Sequence, residues 1–279
     1  MSRCHMIALL FIGLFIAAHS ALAQDQTIRT YTRADFINVD GGNLNERIER
    51  AVKQFKGSNA GDSFWIAYHF PARDGVSYGP FSGSIYYDEG IKFEYRDDPS
   101  SAAAFLLTDA TGSNPKFKSV KTLNLSEQYV FENRPVYWLG NVDGGQSVSF
   151  LEQTMRADQE NINLARGVLR ALAVHDDPGV ISLLKETAVK QASIDLQRSA
   201  ISNLARLRTP ESLEALIDLY EKSTDLSLKE EIISGIARND TRKATDKLLT
   251  IARNDPNPKL RQRAIRRLSS KRGTGIWFN

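Results

Sequence analysis

Residues 255–273 read DPNPKLRQRAIRRLSSKRG, with seven basic side chains against the single acid Asp255. The charge suggests a grip on a polyanion, but the apolar residues decide the fold. Leu260, Ala264, Ile265 and Leu268 share one helical face. The same spacing recurs upstream. Leu164, Val168, Leu169, Leu172 and Ala173 stand above Leu196, Ala200, Ile201, Leu204 and Ala205. Below them come Leu228, Ile232, Ile233, Ile236 and Ala237, and then the run just quoted, each line displaced by 32 positions. Each copy continues into a second apolar helix, marked by Ile181 and Leu184, then Leu213, Leu216, Ile217 and Tyr220, then Leu248, Leu249 and Ala252. Pro178 and Pro210 sit where a missing N–H is harmless. Asp177, Thr209 and Thr241 are the expected caps. A helix pair of this length cannot bury its own apolar stripe, so the copies must stack on a shared core.

The pattern around Asp255-Pro256-x-Pro258-x-Leu260-Arg261 and Thr209-Pro210-Glu211-x-Leu213-x2-Leu216-Ile217 resembles the two helices of a short HEAT-like repeat of bacterial type. Repeats of this kind are also named after phycobilin lyases. The whole arrangement resembles secreted bacterial HEAT-repeat proteins. The resemblance implies an α-solenoid that serves as a scaffold, and the lyase label implies an activity only through repeat similarity. A degenerate first copy is expected over residues 132–156. Val136-Tyr137-Trp138-Leu139-Gly140 would form its first helix, and Val148, Phe150 and Leu151 its second. Full repeats start near 164, 196, 228 and 260 within a repeat domain of residues 132–279.

Residues 24–131 follow a different grammar and predict an α+β module. LNERIERAVKQFK places Leu44, Ile48, Ala51, Val52 and Phe55 on one helical face, with Asn43 as N-cap and Gly57 as the stop. Residues 63–70 are aromatic and β-branched and read as a strand, with His69 half-buried in it. Residues 84–95 read as a hairpin turning at Asp88-Glu89-Gly90. Residues 103–108 and 117–125 form a second pair of strands.

The first residues, MSRCHMIALLFIGLFIAAHSALAQ, combine Arg3, an apolar run and Ala21-Leu22-Ala23, which reads as a signal peptide over residues 1–23. Export to the periplasm or beyond the cell is therefore expected. The one cysteine, Cys4, lies inside that leader, so stability must come from burial and not from disulfides. Net charge is uneven. Residues 24–146 carry 13 basic and 16 acidic groups, residues 147–279 carry 22 and 17, and residues 238–272 alone hold 12 against 3.

No catalytic constellation assembles from these residues, and none implies a cofactor. Gly61-Asp62-Ser63-Phe64 is similar to the nucleophile block of GDSL-type hydrolases, yet the chain has no Asp-x-x-His to supply the base. His175 with Asp176 and Asp177 suggests metal ligands, but position 177 is the recurrent cap and residues 174–176 read as turn, so no metal is expected. Asp97-Asp98 and Glu230-Glu231 are adjacent in sequence and point apart. On the last repeat helix, Lys259, Arg263, Arg266 and Arg267 fall opposite the apolar arc, as a wet outer face. No aromatic interleaves them as a single-strand nucleic-acid platform needs, and export removes most nucleic acid, so that ligand is not expected. The expected function is non-catalytic binding of a protein partner, drawn if acidic to Arg263, Arg266, Arg267, Arg242 and Lys243. The alternative is an enzyme or enzyme accessory with a small-molecule site in the N-terminal module, near a domain junction at Tyr137 and Trp138. Ile276, Trp277 and Phe278 are expected to fold over the last apolar stripe.

Overall fold

The computed structural model describes residues 30–74, 85–88, 91–94, 102–125, 129–190 and 193–272. The expected leader, the expected turn residues Glu89 and Gly90, Asp97-Asp98 and the residues from Gly273 onward lie outside them. The predicted leading helix forms as α1 (Leu44–Ser58), and Asn43 accepts from the Glu46 N–H as its cap. All five residues predicted for its inner face are buried. The helix runs through Gly57 and stops instead at Asn59, which takes the left-handed conformation at φ 51°.

Strands β1 (Ile37–Asn38), β2 (Ser63–His69), β5 (Ala102–Asp109), β6 (Lys116–Asn124) and β8 (Val136–Asn141) form one sheet in the order β1-β8-β2-β5-β6. The predicted hairpin, β3 (Ile85–Asp88) and β4 (Ile91–Glu94), pairs antiparallel and joins β7 (Tyr129–Val130) in a second, three-stranded sheet. The larger sheet is covered on both faces. Phe64, Ile66, Tyr68, Ala104, Leu106 and Leu139 face a core shared with α1 and the repeats. Trp65, Ala67, Phe105 and Trp138 face a second, aromatic cluster closed by Tyr31, Phe36, Tyr129 and Phe131. Burial on both faces explains why β2 reads as a near-continuous apolar run and not as an alternation.

Strand β8 corrects the sequence reading. Val136-Tyr137-Trp138-Leu139-Gly140, expected as the first helix of a degenerate repeat, lies in the sheet and pairs parallel with both β1 and β2. A five-residue apolar run carries no reliable helical period, and its β-branched and aromatic residues suit the vacant slot between two strands. The module therefore extends to Asn141, ten residues past the boundary expected at 131. The second half of that copy does form. Asp143 accepts from the Gly145 and Gln146 N–H groups and caps α2 (Gly144–Ala157), which buries Leu151 completely.

Seven helices complete the array among the described residues: α3 (Ile162–Val174), α4 (Gly179–Lys190), α5 (Ile194–Leu207), α6 (Pro210–Lys222), α7 (Leu226–Ala237), α8 (Arg242–Asn254) and α9 (Pro258–Arg272). First helices α3, α5, α7 and α9 stack in sequence, and α4 packs on α6 in the second layer. Thr209 and Thr241 cap α6 and α8 as the register demands, with Pro210 in the first turn of α6. The chain is thus a strand-rich N-terminal module followed by a HEAT-like helical solenoid. The sheet stands where an earlier first helix would stack, because α3 packs directly on β6.

Candidate interaction surface and the buried junction

The turn between α3 and α4 is not the exposed loop that its sequence suggests. The segment following β2 lies across it. Asp176 N–H donates to Pro71 O (3.1 Å) and Arg73 N–H to Val174 O (2.8 Å), while Ala72 and His175 form an isolated bridge. The Phe70 ring stacks on His175 with centroids 3.7 Å apart and planes within 4°. His175 is completely buried, contrary to its reading as a turn residue, because only the first repeat meets the module there.

Its imidazole joins a polar chain. Nδ1 lies 2.8 Å from Ala171 O, Nε2 lies 2.7 Å from Ser147 Oγ, and Ser147 Oγ lies 3.0 Å from the Tyr68 hydroxyl. A carbonyl only accepts, so Nδ1 carries the proton and Nε2 of the neutral ring accepts from Ser147, whose oxygen then accepts from Tyr68. Every member is paired. Burial pushes the imidazole down to about 4 and raises the Tyr68 phenol. The Ser147–His175 spacing matches that of a nucleophile and its base, but both residues are wholly enclosed, so no substrate carbonyl reaches them. The chain ties β2, α2 and α3 together, and nothing in its scattered sequence positions pointed to it. Ser63 of the hydrolase-like tetrapeptide meets no histidine; it accepts from Arg134 Nε at 3.1 Å.

The other predicted site residues disperse. Tyr137 and Trp138 are neighbours on one strand and so point to opposite faces. Tyr137 packs on Phe55 and Phe64, whereas Trp138 lies under the Arg33 guanidinium at 4.2 Å. They line no common junction. Arg242 is exposed beside Asp246, and Lys243 on α8 forms an ion pair with Glu214 on α6. Arg266 is exposed, but Arg263 and Arg267 do not belong to a wet outer face. They are half-buried and lean back onto α7, where both donate to the Ser234 hydroxyl, at 3.0 and 3.1 Å. Position 263 stands three repeats after Gly167, which turns towards β6. That column faces the preceding layer, which explains the direction of the two arginines.

The second-helix layer is bound laterally by charge. Lys185 on α4 pairs with Asp218 on α6 at 2.6 Å, and Lys247 on α8 pairs with Glu221 on α6. Two clefts open beside it. One, of about 170 Å³, lies between α2 and α4 over Met155, Leu183 and Leu196. The other, of about 350 Å³, lies between the first turns of α1 and α2 and is lined by Asn43, Asn45, Gln146, Ser149, Phe150 and Gln153. Among the described residues no three His, Cys, Asp or Glu side chains converge as metal ligands.

With this geometry in view, the helical part is similar to HEAT repeats. A family profile of that description matches residues 148–237 and again residues 181–269. The first match begins inside α2, after the strand that replaces the expected helix. No curated protein and no solved structure matches the chain. Among the described residues no helix is long and apolar enough to cross a membrane.

Proposed function

We propose that this chain is an exported, non-catalytic scaffold that holds a protein partner on its HEAT-like array. One observation carries the reading: a single continuous core runs from the sheet through α9, so the array is a braced platform and not a tethered appendage. Stacked repeats present extended surfaces suited to protein partners. The Ser147–His175 pair is enclosed and braces that platform. The second-helix layer, with Glu214 and Glu221 exposed on α6, is the broad contact face, and the basic last helix draws acidic groups of the partner. The leader-like residues 1–23 support export and imply a mature start at Gln24.

The polar cleft between α1 and α2 supports a second reading, an accessory protein that holds a small molecule there. Photo-crosslinking amino acids at Glu214, Glu221, Ser149 and Gln153, placed in the full chain in its native host, separate the two. Crosslinks to a protein from the α6 positions support the scaffold. Crosslinks confined to Ser149 and Gln153 overturn it. Mass spectrometry of the fractionated protein tests export, and a retained Met1 in the cytoplasm refutes that part.

A further inference from the structure

Much of the second-helix layer pairs its charges. Lys185 and Lys222 share Asp218, Lys243 meets Glu214, Lys247 meets Glu221, and in the first-helix layer Arg166 meets Asp195. The end of the first-helix layer instead half-buries two cations without a counter-charge. Among the described residues, no carboxylate forms an ion pair with Arg238, Arg263, Arg266 or Arg267. Arg263 and Arg267, one helical turn apart on α9, instead share the neutral Ser234 hydroxyl, which itself donates to Glu230 O at 2.9 Å. Their Nε atoms are buried without acceptors. A solubilising charge gains nothing from such desolvation, which costs free energy unless an anion compensates it.

We propose that Arg238, Arg263, Arg266 and Arg267 form an oxyanion site that takes the dianionic phosphate of a phosphate monoester. This rests on the reading above of the basic last helix as a contact surface and gives that contact its chemistry. Arg238 stands one turn beyond Ser234 at the end of α7, and the exposed Arg266 lies in the same turn of α9 as Arg263 and Arg267, so all four belong to one end of the layer. Burial lowers the Arg267 pKa first, the charges of Arg263, Arg238 and Arg266 lower it further, and Glu231 alone opposes them. Two guanidiniums directed at one neutral hydroxyl, with both Nε atoms buried and unpaired, offer more donors than a single carboxylate can accept, and a dianionic phosphate with three terminal oxygens meets them better. Guanidinium also suits the task geometrically. Its planar fork binds phosphate oxygens in pairs and keeps its proton beside other cations. Ser234 holds two of the forks in fixed directions, so less side-chain freedom is lost on binding.

The test uses the mature full-length protein at pH 7.5 and constant ionic strength, melted in chloride, inorganic phosphate and glycerol phosphate. Phosphate and its ester should raise Tm saturably where chloride does not. Arg263→Gln with Arg267→Gln should weaken that response at least tenfold while melting no lower in chloride, because a repulsion has been relieved. A second pair, Arg238→Gln with Arg266→Gln, removes exposed side chains and weakens the response without touching Ser234. Flotation with phosphatidylcholine vesicles containing phosphatidic acid identifies the source: co-flotation assigns a lipid headgroup, and binding of soluble esters alone assigns a diffusible or protein-borne phosphate. Equal melting in phosphate and chloride overturns the site, as does a phosphate response that survives both double variants. Binding of polyglutamate without binding of phosphate also overturns it. None of these readouts requires the protein partner, so the site and the scaffold reading fail separately.

Discussion

Ser147 Oγ lies 2.7 Å from His175 Nε2 at the point where α2 crosses the turn of the first repeat. Because burial holds this imidazole at about 4, below its ordinary 6.5, proton uptake here is coupled to unfolding. Above pH 6.5 the ring is neutral in both the folded and the unfolded chain. As pH falls from 6.5 towards 4 the unfolded chain takes up a proton that the folded one refuses, so stability is lost across that window and levels off below it. The displacement corresponds to roughly 3 kcal/mol. His175→Gln removes the titration. In urea unfolding, the stability advantage of the natural protein over this variant should shrink by about that amount between pH 7.5 and pH 4. An advantage independent of pH would refute the assignment.

Ser147→Ala tests the same chain without altering charge. It leaves Nε2 of His175 without a donor and the Tyr68 hydroxyl without an acceptor inside the core. Each orphaned group costs about 1–3 kcal/mol. The urea midpoint should fall while the hydroxyl-keeping Ser147→Thr loses less. Equal midpoints for Ser147→Ala and the natural protein would mean that the chain contributes nothing to the junction.

Gly167 sets the distance between the array and the sheet. A Cβ at that position would stand 2.3 Å from the Val120 carbonyl oxygen, a backbone atom of β6 that cannot turn aside. In a free helix, Gly→Ala gains about 1 kcal/mol. At this site the clash opposes that gain, and overpacking of this kind costs about 1–3 kcal/mol or more. Gly167→Ala should therefore lower Tm and loosen the first repeat selectively, seen as faster amide exchange in β6 and α3. A rise in Tm would show that the helix does not sit against the strand.

The repeats were legible because their signal is redundant. Leu164, Leu196, Leu228 and Leu260 each report the same buried column, so one ambiguous position cannot mislead. The strand β8 had no such support. Its five apolar residues fit either period, and only the parallel pairing with Trp65 and Ile37, roughly 70 and 100 residues earlier, decides between them. His175 was misread for a related reason. The repeat register describes a turn correctly in the average copy, but the first copy has a module beside it, and Phe70 and Pro71 arrive from outside the repeat. Arg266 is exposed as its position on the helix predicts, whereas Arg263 and Arg267 turn back onto α7, since long side chains reach beyond the arc that their Cα positions occupy. Side-chain reach and contacts between distant segments are what a single sequence leaves implicit.

The same register yields a paired prediction. Leu169, Ile201 and Ile233 occupy one column and are at most 1% exposed, whereas Ile265, the next in that column, is 51% exposed. Residue type and helix position are matched between Ile233 and Ile265, so only the covering layer differs. Truncating buried isoleucine to alanine removes transfer free energy and leaves a cavity, at a cost of about 2–5 kcal/mol. An exposed site away from such packing usually changes by less than about 0.5 kcal/mol. Ile233→Ala should therefore lower the urea midpoint severely and Ile265→Ala hardly at all. If Ile265→Ala proves as costly as its twin, some further part of the protein must cover α9 in solution, and the column would be closed at all four positions.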